Sequence, residues 1–145
     1  MQTIQITAYS LPISVYVMMV IGGYVSSTWA GLTCPDWPLC YGKIIPTFTT
    51  AILIKYTHRL FALIVSIMVA LNLLLVMKNF KPSSMAALTS IATTVLLIAQ
   101  VLLGMFTVTS EFHPLIATAH LAVATTIFAS SMMTAMFVHI SLKKK

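Results

Sequence analysis

The chain is 145 residues long, 59% hydrophobic and only 7% charged, with a formal net charge of +6. A water-soluble domain carries about a quarter charged residues, so this composition excludes an ordinary soluble fold and indicates an integral membrane protein. A nucleic-acid partner would need a basic face on a soluble domain, and none is expected here.

Four apolar runs, at 9–29, 51–77, 85–109 and 115–140, reach the roughly 20 residues that a bilayer crossing requires. They predict an all-α integral membrane protein: a single four-transmembrane-helix up-down bundle over 1–145. The first run has no basic stretch ahead of it and contains glycine, so it reads as a span rather than a cleaved leader. It places Gly22 and Gly23 near its far end. The loop 30–50 follows, with three of the six prolines and both cysteines, in the string Cys34-Pro35-Asp36-Trp37-Pro38-Leu39-Cys40. The second run carries Lys55, His58 and Arg59 near its start. A short turn with Lys78 and Lys81 leads to the third run, which holds Gln100 and Gly104. Ser110 to Pro114, with Glu111 and His113, form the second short loop, and the fourth run begins with His120 close behind. Connections this short make consecutive helices antiparallel neighbours.

Orientation follows from the basic residues. Lys78 and Lys81, with Lys143, Lys144 and Lys145, lie on one side, against a single Lys43 on the other. The positive-inside bias then predicts a multi-pass plasma-membrane protein with both termini cytoplasmic and the cysteine loop outside. Disulfides persist on that side, and two cysteines six residues apart in a proline-stiffened loop are placed to close a small ring. Free thiols or a metal-binding pair are the alternatives.

With a helical rise of about 1.5 Å per residue, His58 lies about 10 Å and His120 about 8 Å inside the outer end of its span. Gly104 on the third run and Gly22 with Gly23 on the first fall at about the same depth, 8 to 10 Å. Each of the four helices thus brings a histidine or a glycine to one layer. Small residues are common at transmembrane helix contacts for packing alone. Histidine in lipid is costly and marks function. Two at one depth point to a shared ligand, and haem suits paired imidazoles in a helical bundle. A bare metal ion would need further carboxylate or thiolate ligands. Lys55 and Arg59 are expected to snorkel to the outer headgroups or, with haem bound, to meet its propionates. His113 reads as solvated and His139 as interfacial at the cytoplasmic end.

Gly22-Gly23-Tyr24-Val25, Thr28, the stretch from Gly31 through Cys34 and Cys40 to Gly42, and Pro46 closely resemble the first helix and loop of the haem A synthase family. Tyr56-Thr57-His58-Arg59-Leu60 looks like that family's second-helix histidine motif. Gln100 with Leu103-Gly104, Thr107-Val108, Pro114 and His120-Leu121 resemble its third and fourth helices. The resemblance covers most of the chain. It implies an oxidoreductase of haem A biosynthesis that converts a methyl group of haem O to formyl. It implies haem b as the iron cofactor, His58 and His120 as an axial pair, and a Cys34–Cys40 disulfide. Usual members are tandem fusions of two four-helix units, so a half-size chain is expected to act as a homodimer or beside a second such unit. The implied partners are haem O, the synthase that makes it, and terminal oxidase assembly.

Two positions depart from the family pattern. Lys55 stands where a glutamate one turn before the histidine is usual, and Ser26 where an arginine is usual. The catalytic group is therefore unassigned, and a haem-binding subunit that carries electrons or haem without oxidising it is the alternative. A quinone-linked thiol oxidase would need two close cysteine pairs, and this chain has one widely spaced pair.

Overall fold

A computed structural model describes residues 2–143. Lys144 and Lys145 of the basic C-terminal run lie outside the described residues. The helices are α1 (Gln2–Ser27), α2 (Thr50–Asn79), α3 (Met85–Thr109) and α4 (Pro114–Lys143), with a 3-10 turn at Ala30–Leu32. All four are long and apolar enough to cross a membrane. Among the described residues there is no β-strand, only a bridge between Cys40 and Lys43 in the loop. The expected four-helix membrane bundle is therefore the observed fold.

The helix boundaries have local causes. Thr49 caps α2, its hydroxyl accepting from the Ile52 amide at 3.3 Å, and Ser84 caps α3 in the same way with Ala87 at 3.2 Å. Such caps satisfy amides that have no intrahelical acceptor and contribute about 1 kcal/mol each. α3 runs as expected, and α2 and α4 extend only a few residues beyond their apolar runs. α1 is the exception and starts seven residues early, at Gln2 rather than 9. Gln2, Thr3, Gln5 and Thr7 make that stretch polar by composition, yet Ile4, Ala8, Leu11 and Val15 are buried in register. One helical face carries the segment into the core. The helix continues through Pro12, as transmembrane helices tolerate when neighbours pack around the break.

α1 packs against α2 and α4, and α3 against α4 and α2, the closed ring of an up-down bundle. The first core cluster joins the start of α1 (Ile4, Ala8), the end of α2 (Val76), the start of α3 (Ala86, Ala87) and the end of α4 (Val138, Leu142). That co-location fixes the helices as alternately up and down. We call this the basal end. Midway lies a second cluster of Leu11, Val15, Val65, Val69 and Ile127. Hydrogen bonds tie the same half across helices: Ser90 donates to Asn72 Oδ1 at 3.3 Å, and the Thr93 and Ser130 hydroxyls pair at 2.8 Å. In lipid, small polar residues serve this purpose because they let backbones approach and still satisfy one another.

Above the second cluster the packing changes. No residue is fully buried in 16–24 of α1, 56–64 of α2, 94–106 of α3 or 114–126 of α4. Full burial resumes with Val25, Ile52, Lys55 and Thr107, under the loop cysteines. The bundle therefore has a dense basal half, a loosely packed level about three turns deep, and a roof.

Candidate haem site

The loose level is where His58 and His120 sit. Each ring is backed by a glycine of the preceding helix. A Cβ placed on Gly22 of α1 would come within 3.2 Å of His58 Cε1, and one on Gly104 of α3 within 3.3 Å of His120 Cε1. Both distances are tighter than ordinary van der Waals contact, so hydrogen at these positions is what lets the rings lie against the helix backbones. Gly23 is different. A side chain there would meet nothing within 4 Å, because one helical step turns it away from the ring.

The Nδ1 atoms of both histidines are buried with no hydrogen-bond partner. His120 Nε2 lies 3.2 Å from the side-chain nitrogen of Gln100, one turn before Gly104. An amide nitrogen only donates, so His120 Nε2 accepts and carries the free lone pair. The role of Gln100 beside His120 comes from the i, i+4 spacing with Gly104, which puts both on one face of α3.

The residues fit haem. Two imidazoles on α2 and α4 share a level at which none of the four helices has a fully buried side chain, and each has a glycine behind it. Among the described residues no group of three His, Cys, Asp or Glu comes together. A side-chain-only site for a bare metal ion, which needs about four protein ligands when structural, is therefore not assembled there.

The roof is built by the two cations of α2. Lys55 is only 5% exposed. Its ammonium donates to the Gly31 carbonyl at 2.7 Å and stands 5.3 Å from the centre of the Phe112 ring. In place of an outward reach to headgroups, the side chain turns inward and joins the loop to the α3–α4 turn. Arg59 also works within the protein. Its guanidinium donates to the carbonyls of Cys34 at 3.1 Å, Asp36 at 3.0 Å, and Pro38 and Leu39. Five fixed donors allow one arginine to gather that many acceptors. The sequence gives no direct signal for these contacts, since they depend on where the loop's carbonyls end up.

Cys34 and Cys40 are joined in a disulfide, with their Cα atoms 4.5 Å apart. Asp36 closes the same loop from within, accepting from the Tyr41 amide at 2.7 Å and the Gly42 amide at 2.8 Å. Gly42 has φ +71°, a left-handed conformation that glycine adopts without strain. The Gly42 amide is the first cause holding the Asp36 carboxyl below its ordinary value, with Tyr41 and the Arg59 charge adding to it against some desolvation. The other acid, Glu111, is exposed in the α3–α4 turn. His113 is exposed in the same turn. His139 lies toward the basal end of α4, its Nδ1 2.6 Å from the Tyr9 hydroxyl. Neither joins the level of His58 and His120. Ser26 is exposed at the end of α1.

Residues 6–144 match the family described as cytochrome oxidase assembly protein, COX15-CtaA. Among similar curated proteins, the haem A synthase of Bacillus pumilus is 29% identical over 131 residues, covering 87% of this chain and 43% of that protein. The haem A synthase of Alkalihalophilus pseudofirmus is 37% identical over 101 residues, 66% of this chain and 34% of its own length. That of Bacillus licheniformis is 27% identical over 127 residues, 87% and 42%. The chain thus spans less than half the length of the curated relatives it matches. With nearly its whole length matched, the chain belongs to the cytochrome oxidase assembly protein family that includes the haem A synthases.

Proposed function

We propose that this protein is a haem A synthase-like oxidoreductase, acting on a methyl group of haem O, with His58 and His120 as the axial pair of a haem. The observation that carries the reading is the matched construction of the two histidine seats. Both rings lie against glycine, both Nδ1 atoms are unpartnered, and both sit in the loosest level of the bundle. Bound there as haem b, the group would supply redox-active iron. The chain's own part is to present two imidazoles from opposed helices, each seated on a glycine, and to cover them. The disulfide loop, drawn down by Arg59 and Lys55, limits access of water from above. Those two cations also give the roof a positive field, and the carboxylates of a haem are the natural counter-charge.

While both imidazoles held one iron, that haem would offer no position for oxidation of a second molecule. The reaction therefore calls for another histidine pair, from a second copy of this chain or from another four-helix unit. By the same reading the cysteine loop faces outward and both ends of the chain face the cytoplasm. Haem O synthase and terminal oxidase assembly are the partners on either side of the reaction.

One observation favours a second reading, a haem-binding subunit that carries electrons or haem. Lys55, at the position of the family glutamate, is bound to Gly31, and both acids of the chain lie outside the helices. No carboxylate faces the level. Co-expression with a source of haem O, followed by extraction and identification of the bound haem, decides between them. Haem A in the extract supports the synthase. Haem b alone, with every electron donor tried, favours the carrier.

A further inference from the structure

The two histidine seats match in shape but differ at one position. On α3, Gln100 lies one turn before Gly104 and faces His120. On α1 the residue one turn before Gly22 is Met18, which packs with the apolar cluster below. A polar amide thus reaches the nitrogen of one ring, and the corresponding place beside the other ring is apolar. Both Nδ1 atoms are buried without a hydrogen-bond partner, and the rings differ in that His120 Nε2 accepts from Gln100. Gln100 Oε1 is itself buried and unpartnered. The amide is thus committed to the ring through its nitrogen alone.

We propose that Gln100 is a positioning residue that holds His120 by its Nε2 lone pair until iron takes that atom, and recaptures the ring when an outside ligand displaces it, making the His120 side the exchangeable face of the haem. This rests on the axial-pair reading above. The chemistry is simple. A hydrogen bond to Nε2 fixes the proton on Nδ1, so the lone pair that Gln100 engages is the same one that would ligate iron. Iron and amide therefore compete for one atom. If an external ligand were to displace His120 from a bound haem, the Nε2 lone pair would be free to accept from the Gln100 N–H again, with no proton or electron changing hands. His58 has no such donor to fall back on, and its release would leave the freed nitrogen without a hydrogen bond. Release of His120 is favoured for that reason.

Carbon monoxide binding to the purified, haem-loaded, dithionite-reduced protein tests this. A neutral hydrogen bond contributes about 1 kcal/mol net, so losing it should weaken carbon monoxide binding roughly five- to tenfold. Gln100→Met, which copies Met18, is expected to show that loss while keeping the low-spin spectrum. Gln100→Asn, which keeps the amide but falls one methylene short of the ring, is expected to behave alike, and serves if the methionine variant does not load haem. In a His120→Ala background Gln100→Met should change the affinity less than twofold, since no ring remains to recapture. Equal affinity in wild type and both Gln100 variants overturns the proposal. So does an undiminished effect in the His120→Ala background, which would mean that the amide acts on the incoming ligand. A wild-type protein that binds haem without a two-imidazole, low-spin spectrum overturns the axial-pair reading instead, and is distinguished by that spectrum before any ligand is added.

Discussion

In the basal half of the bundle every helix contributes fully buried side chains, Ile4, Val76, Ala87 and Val138 among them, whereas around His58 and His120 none of the four does. The same four helices run through both regions, so the difference lies in side-chain choice alone. Below, apolar residues recur at helical spacing, and hydroxyls pair across helices. Above, Gly22 and Gly104 take inward positions beside His58 and His120. A bundle that is held together at one end need not be close-packed at the other, and this leaves the histidine level free to be shaped by its chemistry.

The largest expected effects separate the two regions most sharply. His58→Ala or His120→Ala should each abolish the low-spin, two-imidazole absorption of the haem-loaded protein, whereas His113→Ala, in the exposed turn, should leave it intact. An unchanged low-spin spectrum in both histidine variants of the level would break the comparison at its centre. The glycine seats come next. Gly22→Val and Gly104→Val push a side chain into the rings and should lower haem per protein at least about tenfold, since a displacement worth about 1.4 kcal/mol is already tenfold in binding. Gly23→Val, which meets nothing, should bind as wild type. Haem-to-protein ratios after purification read the difference.

In the basal half the pattern should reverse. Ile4→Ala removes a side chain that is 2% exposed and should destabilise the bundle by about 2 kcal/mol, the low end for such a deletion, because lipid tails replace water as the competing environment. A lowered melting temperature with an unaltered haem spectrum is the expected result. A smaller effect belongs to the roof. Lys55→Met cuts the tie to Gly31, and the loop disulfide should then be reduced by added dithiothreitol severalfold faster, with little change in melting temperature.

The smallest effect is one of pH. Asp36 has its folded-state pKa below the unfolded value, so its contribution to the loop is fully present above the ordinary carboxylate range, near pH 4, and is lost only as pH falls through the lower folded value. Reduction of the disulfide by a phosphine, which reduces disulfides in acid, should therefore, when assayed at each pH, keep the same ratio to Asp36→Asn down to about pH 4 and approach the variant only below it. The variant should be faster above that pH, because a neutral amide oxygen is a weaker acceptor for the Tyr41 and Gly42 amides.

The spans were readable because lipid demands long apolar helices whatever their neighbours do. The one misjudged boundary, at the start of α1, had its signal in the spacing of Ile4, Ala8, Leu11 and Val15 rather than in composition. Counting residues along the helices was also enough to put His58, His120, Gly22 and Gly104 at one depth, since helical rise is a local constant. Direction around the helix was harder. Gly23 sits beside Gly22 in sequence and faces away from the rings. Lys55 and Arg59 were the least readable. A long cation near a membrane surface has two satisfactory destinations, headgroups or protein carbonyls. The choice depends on the loop 30–49, whose path is set by a disulfide, the Asp36 turn and contacts distant in sequence.

Glu111 and Phe112 are consecutive non-glycine residues with positive φ, 51° and 63°, a conformation that costs of order 1 kcal/mol apiece. The turn they make carries the Phe112 ring onto Gly31, so closely that a Cβ there would fall 2.0 Å from the ring's Cζ. Gly31 belongs to the segment that leads into Cys34, and Phe112 stands eight residues ahead of His120. The cysteine loop and the start of the fourth helix therefore meet through one aromatic ring, with the Lys55 ammonium beside both. Opening the ring of residues 34 to 40 therefore loosens a segment that packs directly on the turn leading into the helix of His120.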